Sequence, residues 1–170
     1  MDSVFKEQIV KKKPTAIDTL KKAGIIIAVI AIYLVASIVP AIAPFAFILA
    51  AAAAFGAYYL FTMLNVEYEY AFTNGELDID AIYNRSRRKR VFSGSVRDFE
   101  VMAHVEDTAH ARDFGNAEVK NYFSGVVGKD TYAFLASHKG KRLKVIIEPN
   151  EMMLKAFSTV LTPRKLYKKL

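Results

Sequence analysis

Residues 65–83 read NVEYEYAFTNGELDIDAIY, and this stretch decides the fold. Val66, Tyr68, Tyr70 and Phe72 alternate with Glu67, Glu69 and Ala71, the period of a half-buried strand. Asn74-Gly75 follows, the dipeptide most suited to a two-residue hairpin turn because both central positions need a left-handed backbone. Leu77, Ile79, Ala81 and Tyr83 then alternate with Asp78 and Asp80, giving a second strand.

Downstream the same period continues. A third short strand is expected from about Arg88 to Phe92, ended by Ser93-Gly94-Ser95, and a fourth from Phe99 to His104. Residues 105–117 read as a polar loop. Further strands are expected near 118–126, 131–137 and 142–148, separated by Gly128-Lys129-Asp130 and His138-Lys139-Gly140-Lys141. The period then changes. Asn150 can cap a helix, Glu151 suits its first turn, and Met153, Phe157, Val160 and Leu161 share one helical face. Pro163 is expected to stop that helix, leaving a basic tail with Arg164, Lys165, Lys168 and Lys169.

Upstream the chemistry is different. Between Lys22 and Glu67 lie 44 residues with no Asp, Glu, Lys, Arg or His, cut by Pro40 and Pro44. One membrane-spanning helix needs about 20 apolar residues. The stretch therefore reads as two spans, about 23–39 and 45–64, joined by Pro40-Ala41-Ile42-Ala43-Pro44. Ala41-Ile42-Ala43 has the small-x-small form of a signal-peptide cleavage site, but Pro44 is an awkward residue after a cut and the apolar run continues beyond it. Lys11, Lys12, Lys13, Lys21 and Lys22 flank the first span, and positive flanks stay in the cytoplasm. Two crossings then return the chain to the same side, so both termini are expected in the cytoplasm of a multi-pass cell-membrane protein. Ala52/Gly56 and Ala53/Ala57 have the small-xxx-small spacing that lets helices approach, either between copies or simply onto the first span. The N-terminal tail carries Val4, Phe5, Ile9 and Val10 among lysines, which suits an amphipathic helix on headgroups or a frayed basic tail.

The expected organisation is a basic tail (1–22), a two-helix transmembrane hairpin (23–64), a soluble domain (65–162) and a second basic tail (163–170). The fold class is α+β: a helical hairpin, then a seven-stranded antiparallel β-sandwich or barrel capped by a C-terminal helix. Net charge is +7, of which the first 22 residues supply +3. A basic excess beside a membrane points to anionic headgroups, and no basic-aromatic surface of the nucleic-acid-binding kind stands out. The absence of cysteine removes disulfides, thiolate metal sites and cysteine nucleophiles.

Catalytic constellations are not evident. No Gly-x-Ser-x-Gly elbow surrounds Ser93 or Ser95, and Gly125-Val126-Val127-Gly128 lacks the Gly-Lys-Ser/Thr ending of a phosphate loop. His104, Glu106, Asp107 and His110 are the one cluster of metal-ligand residue types, without a helical pairing of the histidines. No catalytic residue, metal or cofactor is therefore assigned.

Seven short strands followed by one amphipathic helix is the order of a pleckstrin-homology (PH) domain. The stretch Tyr70-Ala71-Phe72-Thr73-Asn74-Gly75-Glu76-Leu77-Asp78-Ile79, the basic Arg87 to Arg90, and Val96-Arg97-Asp98-Phe99-Glu100-Val101 resemble the bacterial PH-like membrane proteins, in particular a two-span family of Firmicutes. The resemblance covers nearly the whole chain. It implies a PH-like domain behind a pair of membrane helices and carries no catalytic residues. Phosphoinositide-binding PH domains resemble one another in a basic loop between strands one and two. Counted from Val66, that loop is here the short Asn74-Gly75 turn followed by Glu76.

The expected function is that of a non-enzymatic, membrane-anchored adaptor whose cytoplasmic domain binds a protein partner or forms homo-oligomers. The alternative is an anionic-phospholipid module. Its headgroup contacts would be Arg85, Arg87, Arg88, Lys89 and Arg90, joined by Lys139, Lys141 and Arg142 if strand parity brings both turns to the membrane end. A weaker alternative is a hydrolase or metal site in the 104–110 loop.

Overall fold

The computed structural model describes residues 5–138, 140–161 and 166–167. It divides into two compact units. One is Pro14–Asn65; the other is built from the chain on both sides of it, up to Lys13 and from Val66 onward.

The Pro14–Asn65 unit is a helical hairpin. Helix α1 (Ala16–Ile38) starts with a capping box, in which the Thr15 hydroxyl accepts from the Asp18 amide (3.2 Å) and the Asp18 carboxylate accepts from the Thr15 amide (3.1 Å). The helix thus begins well before the expected span, and Asp18, Lys21 and Lys22 ride on its first turns. A short 3-10 turn, Ala43–Phe45, with Pro44 near its start, leads into α2 (Ala46–Leu64). Both arms are long and apolar enough to cross a membrane. Ala46, Ala50, Ala53 and Ala57 recur at helical spacing as the covered face of α2, whereas Ala52 and Gly56 are exposed. Of the two small-residue pairs, Ala53/Ala57 therefore lies on the packed face.

The second unit opens with an unexpected element. Phe5–Lys11 is a strand, β1, paired antiparallel with β2 (Val66–Thr73), where a headgroup-bound helix or frayed tail was expected. The reason lies in the alternation of FKEQIVK. Val10 is buried on the inner face, and Gln8 sends its side chain to the Glu148 carbonyl (2.8 Å) and accepts from the Asn150 amide (2.7 Å). Pairing with β2 also satisfies backbone groups that a strand edge otherwise leaves to water. The domain's first strand thus precedes the hairpin, and the hairpin is an insertion between strands one and two.

Strands β3 (Glu76–Tyr83) and β4 (Arg87–Ser95) complete an antiparallel sheet of order β1-β2-β3-β4. The Asn74-Gly75 turn has φ of 52° and 101°, as the sequence requires. β4 runs further than expected, through Gly94, because a side chain there would meet the Phe92 ring at 3.2 Å and glycine leaves that space open. A 3-10 turn at Val96–Asp98 carries the chain into the second sheet.

That sheet, of order β6-β8-β7-β5-β9 among the described residues, contains β5 (Val101–His104), β6 (Glu118–Asn121), β7 (Tyr132–His138), β8 (Lys141–Ile147) and β9 (Leu166–Tyr167). β7 pairs antiparallel with β5 and β8, whereas β6–β8 and β5–β9 are parallel pairs. Helix α3 (Glu151–Val160) is capped by the Asn150 side chain, which accepts from the Met153 amide at 2.9 Å. Its Met153 and Phe157 are buried with Phe72, Ile79, Phe92, Phe99 and Phe134 in the core between the sheets. Phe99 stacks on Phe134 at 4.0 Å between centroids. The other face of the second sheet is covered from the 105–117 segment, whose Phe114 is buried against Val101, Ala103 and Leu135. The roles expected for Lys139, Pro163, Arg164, Lys165, Lys168 and Lys169 lie outside the described residues.

Candidate functional site: the charged face of the first sheet

The first sheet turns a charged face away from the core. Glu7 comes from β1, Glu67 and Glu69 from β2, Asp78 and Asp80 from β3, Arg88 and Arg90 from β4. Glu69 and Asp80 stand directly opposite one another, an arrangement that like charges make unfavourable. The arginines resolve it. Arg88 pairs with Glu69 and lies 3.7 Å from Asp80; Arg90 pairs with Asp80 and reaches Asp78 at 2.8 Å. Arg85, at the turn, reaches Glu67 at 3.3 Å. Glu67, Glu69 and Asp80 are buried although they sit on an outer face, roofed by guanidinium groups that are themselves more than half exposed.

A β-bulge makes this possible. Ile79 faces Phe92, yet the next residue, Asp80, faces Arg90, so Val91 is an extra residue in β4. Arg90 and Phe92 are two apart and would otherwise share a face. The bulge sends Phe92 into the core and Arg88 and Arg90 over the acidic residues.

Two further features mark this end of the sheet. Asn84 and Arg85 both have a left-handed backbone, φ 47° and 56°, and the Ser86 amide closes the turn onto the Tyr83 carbonyl at 3.1 Å. Asparagine accepts this region readily, so the strain, about 1–2 kcal/mol, falls on Arg85. The Glu69 carboxyl is held above the ordinary glutamate range, chiefly by burial and next by a hydrogen bond with Glu7, against the opposing pull of Arg88.

The expected headgroup residues are therefore dispersed in role. Arg85, Arg88 and Arg90 belong to a network in which five carboxylates meet three guanidinium groups, so this face is not a positive patch. Lys89 lies in register with Ala81 and Arg87 with Tyr83, on the other side of β4. Lys141 and Arg142 belong to the second sheet, where Arg142 pairs with Glu100 at 2.7 Å. Strand parity does not bring the two turns together, because the chain changes sheet after β4. It is the far end of β8 that comes back to the start of the domain: the Glu148 carboxylate accepts from the Ser124 amide (3.2 Å), and the Ser124 carbonyl accepts from the Lys13 amide (2.7 Å). The turn at residues 84–86 does lie at the end of the first sheet where the chain leaves for the hairpin and returns, since Val66 is in register with Tyr83. The connection between strands one and two is the apolar hairpin itself, not Asn74-Gly75.

His104 and His110 are not brought together as a metal pair. The buried His104 accepts from the Glu106 amide at Nδ1 (3.2 Å) and donates from Nε2 to the Gly128 carbonyl (3.0 Å), which uses both ring nitrogens. His110 pairs with Asp107 at 2.8 Å. Among the described residues no group of acidic and histidine side chains has the geometry of a metal site.

A family model described as a bacterial PH-like domain (DUF6106) matches residues 1–168. No curated protein and no solved structure shows significant similarity to the chain.

Proposed function

The chain belongs to this bacterial PH-like family, and on that premise we propose that it is a membrane-anchored adaptor. Its hairpin crosses the cell membrane twice. Its PH-like domain, first strand included, stands in the cytoplasm and binds a protein partner or a second copy. The observation that carries the topology is the β1–β2 pairing, which ties the chain before the hairpin to the chain after it. That pairing supports an even number of crossings, and the lysines beside α1 favour the cytoplasmic side. The protein-facing reading is favoured by the charged face, where the carboxylates outnumber the guanidinium groups they hold.

The absence of cysteine makes topology directly testable. Single cysteines replacing Phe5, Ile42 and Met152 are to be probed in intact cells with a membrane-impermeant maleimide. Labelling of I42C alone supports the reading; labelling of F5C or M152C in intact cells overturns it.

Anionic-lipid contact through Arg85, Arg87, Arg88, Lys89 and Arg90 remains the second reading, favoured by the position of their turn at the end of the sheet that leads to the hairpin. It requires salt-sensitive interaction with anionic vesicles that Lys89→Ser weakens. Protein docking on the carboxylate-rich face predicts no added affinity for anionic over neutral vesicles.

A further inference from the structure

The loop between β6 and β7 offers an apolar tip that nothing in the described fold covers. Val126 and Val127 are 51% and 47% exposed, between Gly125 and Gly128. The tip stands on a rigid base. Ser124 is buried, with its amide on Glu148 (3.2 Å) and its hydroxyl on the Val126 amide (3.4 Å). Thr131 is buried and takes the Gly128 amide (2.9 Å), and His104 holds the Gly128 carbonyl (3.0 Å). A buried histidine with no place in the charged face thus has a structural task, which is to fix this loop.

The base is tied to the stretch of chain nearest the apolar hairpin. The Ser124 carbonyl accepts from Lys13, and the Lys12 amide donates to Val66 (3.1 Å). Lys13 is followed at once by Pro14 and the Thr15 cap of α1, and Val66 follows the end of α2 by a single residue. Chain connectivity therefore keeps this end of the domain within two residues of the apolar end of α2, while on the α1 side Asp18, Lys21 and Lys22 precede the apolar run. Lys12, Lys13 and Lys129 bracket the tip in sequence and hydrogen bonding, the composition of a segment at the headgroup boundary.

We propose that Val126 and Val127 dip into the bilayer interface, so that the domain touches lipid through this loop. The inference rests on the reading that the hairpin is in the membrane. It differs from headgroup binding by the 85–90 turn, because the contact is apolar and made by another part of the domain.

The test uses the full chain in phosphatidylethanolamine–phosphatidylglycerol vesicles. V126C, V127C, M152C and F55C are each labelled with an environment-sensitive fluorophore and exposed to lipids carrying a nitroxide at headgroup or mid-chain depth. Val126, Val127, Met152 and Phe55 are all exposed side chains, so the labels are sterically tolerated. The expected result is blue-shifted emission and several-fold stronger headgroup-level quenching at 126 and 127 than at 152, with mid-chain quenching at 55. Quenching at 55 with 126 and 127 behaving like 152 overturns the loop contact and leaves the anchor intact. Absence of quenching at 55 overturns the anchor and the loop contact together.

Discussion

The amide of Lys12 donates to the carbonyl of Val66 at 3.1 Å, although the whole apolar hairpin lies between them in the chain. The two strands that flank the insertion therefore end side by side, as the arms of an ordinary β-hairpin do. Replacing Pro14–Asn65 by a turn of about two to five residues is expected to give a soluble, folded domain. A fragment that starts at Asn65 is expected to be much less stable. It loses the β1 ladder, the buried Val10 and the two Gln8 side-chain hydrogen bonds to Glu148 and Asn150, the latter worth about 1 kcal/mol each. Circular dichroism and urea titration of both proteins check this, and equal stability of the two would show β1 to be dispensable.

Arg88 and Lys89 are neighbours in sequence with different consequences. Arg88→Ser leaves the buried Glu69 without its guanidinium and weakens the cover of Asp80. The expected loss is about 2 kcal/mol, the lower end for a stranded buried charge because the arginine is partly solvated. Lys89→Ser is expected to stay within about 0.5 kcal/mol of the parent. Denaturant midpoints separate the two, and restoration of R88S by a further Glu69→Gln change would confirm the cause.

Glu69 gives the domain a specific pH response. Burial, and then the hydrogen bond with Glu7, raise its carboxyl above the ordinary range, so the folded state keeps a proton that the unfolded chain has already released. Stability from this group therefore falls as pH rises from the unfolded glutamate value, about 4.3, through the raised folded value. Glu7→Gln removes the second cause and is expected to flatten that slope and raise the melting temperature at neutral pH. A steeper slope in E7Q would refute the assignment.

Tyr70 stitches the two sheets together. Its buried phenol donates to the Tyr122 carbonyl and accepts from the Glu148 amide at 3.2 Å, and burial pushes its ionisation up. Tyr70→Phe keeps the ring but strands both backbone groups, for an expected cost of about 1–3 kcal/mol. Thermal melts measure the loss, and hydrogen exchange at Glu148 locates it.

Much of this domain is legible in its sequence. The alternation in 66–83, the Asn74-Gly75 turn and the Asn150-capped helix each follow from a local rule, and each is present in the structure. The two apolar arms are equally plain, though Thr15-x-x-Asp18 shows that α1 starts earlier than its apolar run. What is not legible depends on partners distant in sequence. FKEQIVK has the alternation of a weak strand, but its lysines favour a tail until β2 supplies a paired edge. The bulge at Val91 leaves no trace in composition, so the arginines of 87–90 read as a free basic loop when their main partners are carboxylates on β2 and β3. Val126 is expected from the sequence at the end of a strand over 118–126, but β6 stops at Asn121 and the two exposed valines fall in the loop beyond it.

The insertion of the hairpin between β1 and β2 also sets an order of events during synthesis. β1 leaves the ribosome first and has no strand to pair with until both arms of the hairpin and then residues 66–73 have been made. Closure of the first sheet is a long-range contact, formed late, and under the proposed topology it is open only to chains whose two arms have both been threaded. A chain with one arm left behind would keep β1 and β2 on opposite sides of the bilayer, with an unpaired edge on each. Under that topology, closure of the first sheet reports that both arms have been inserted.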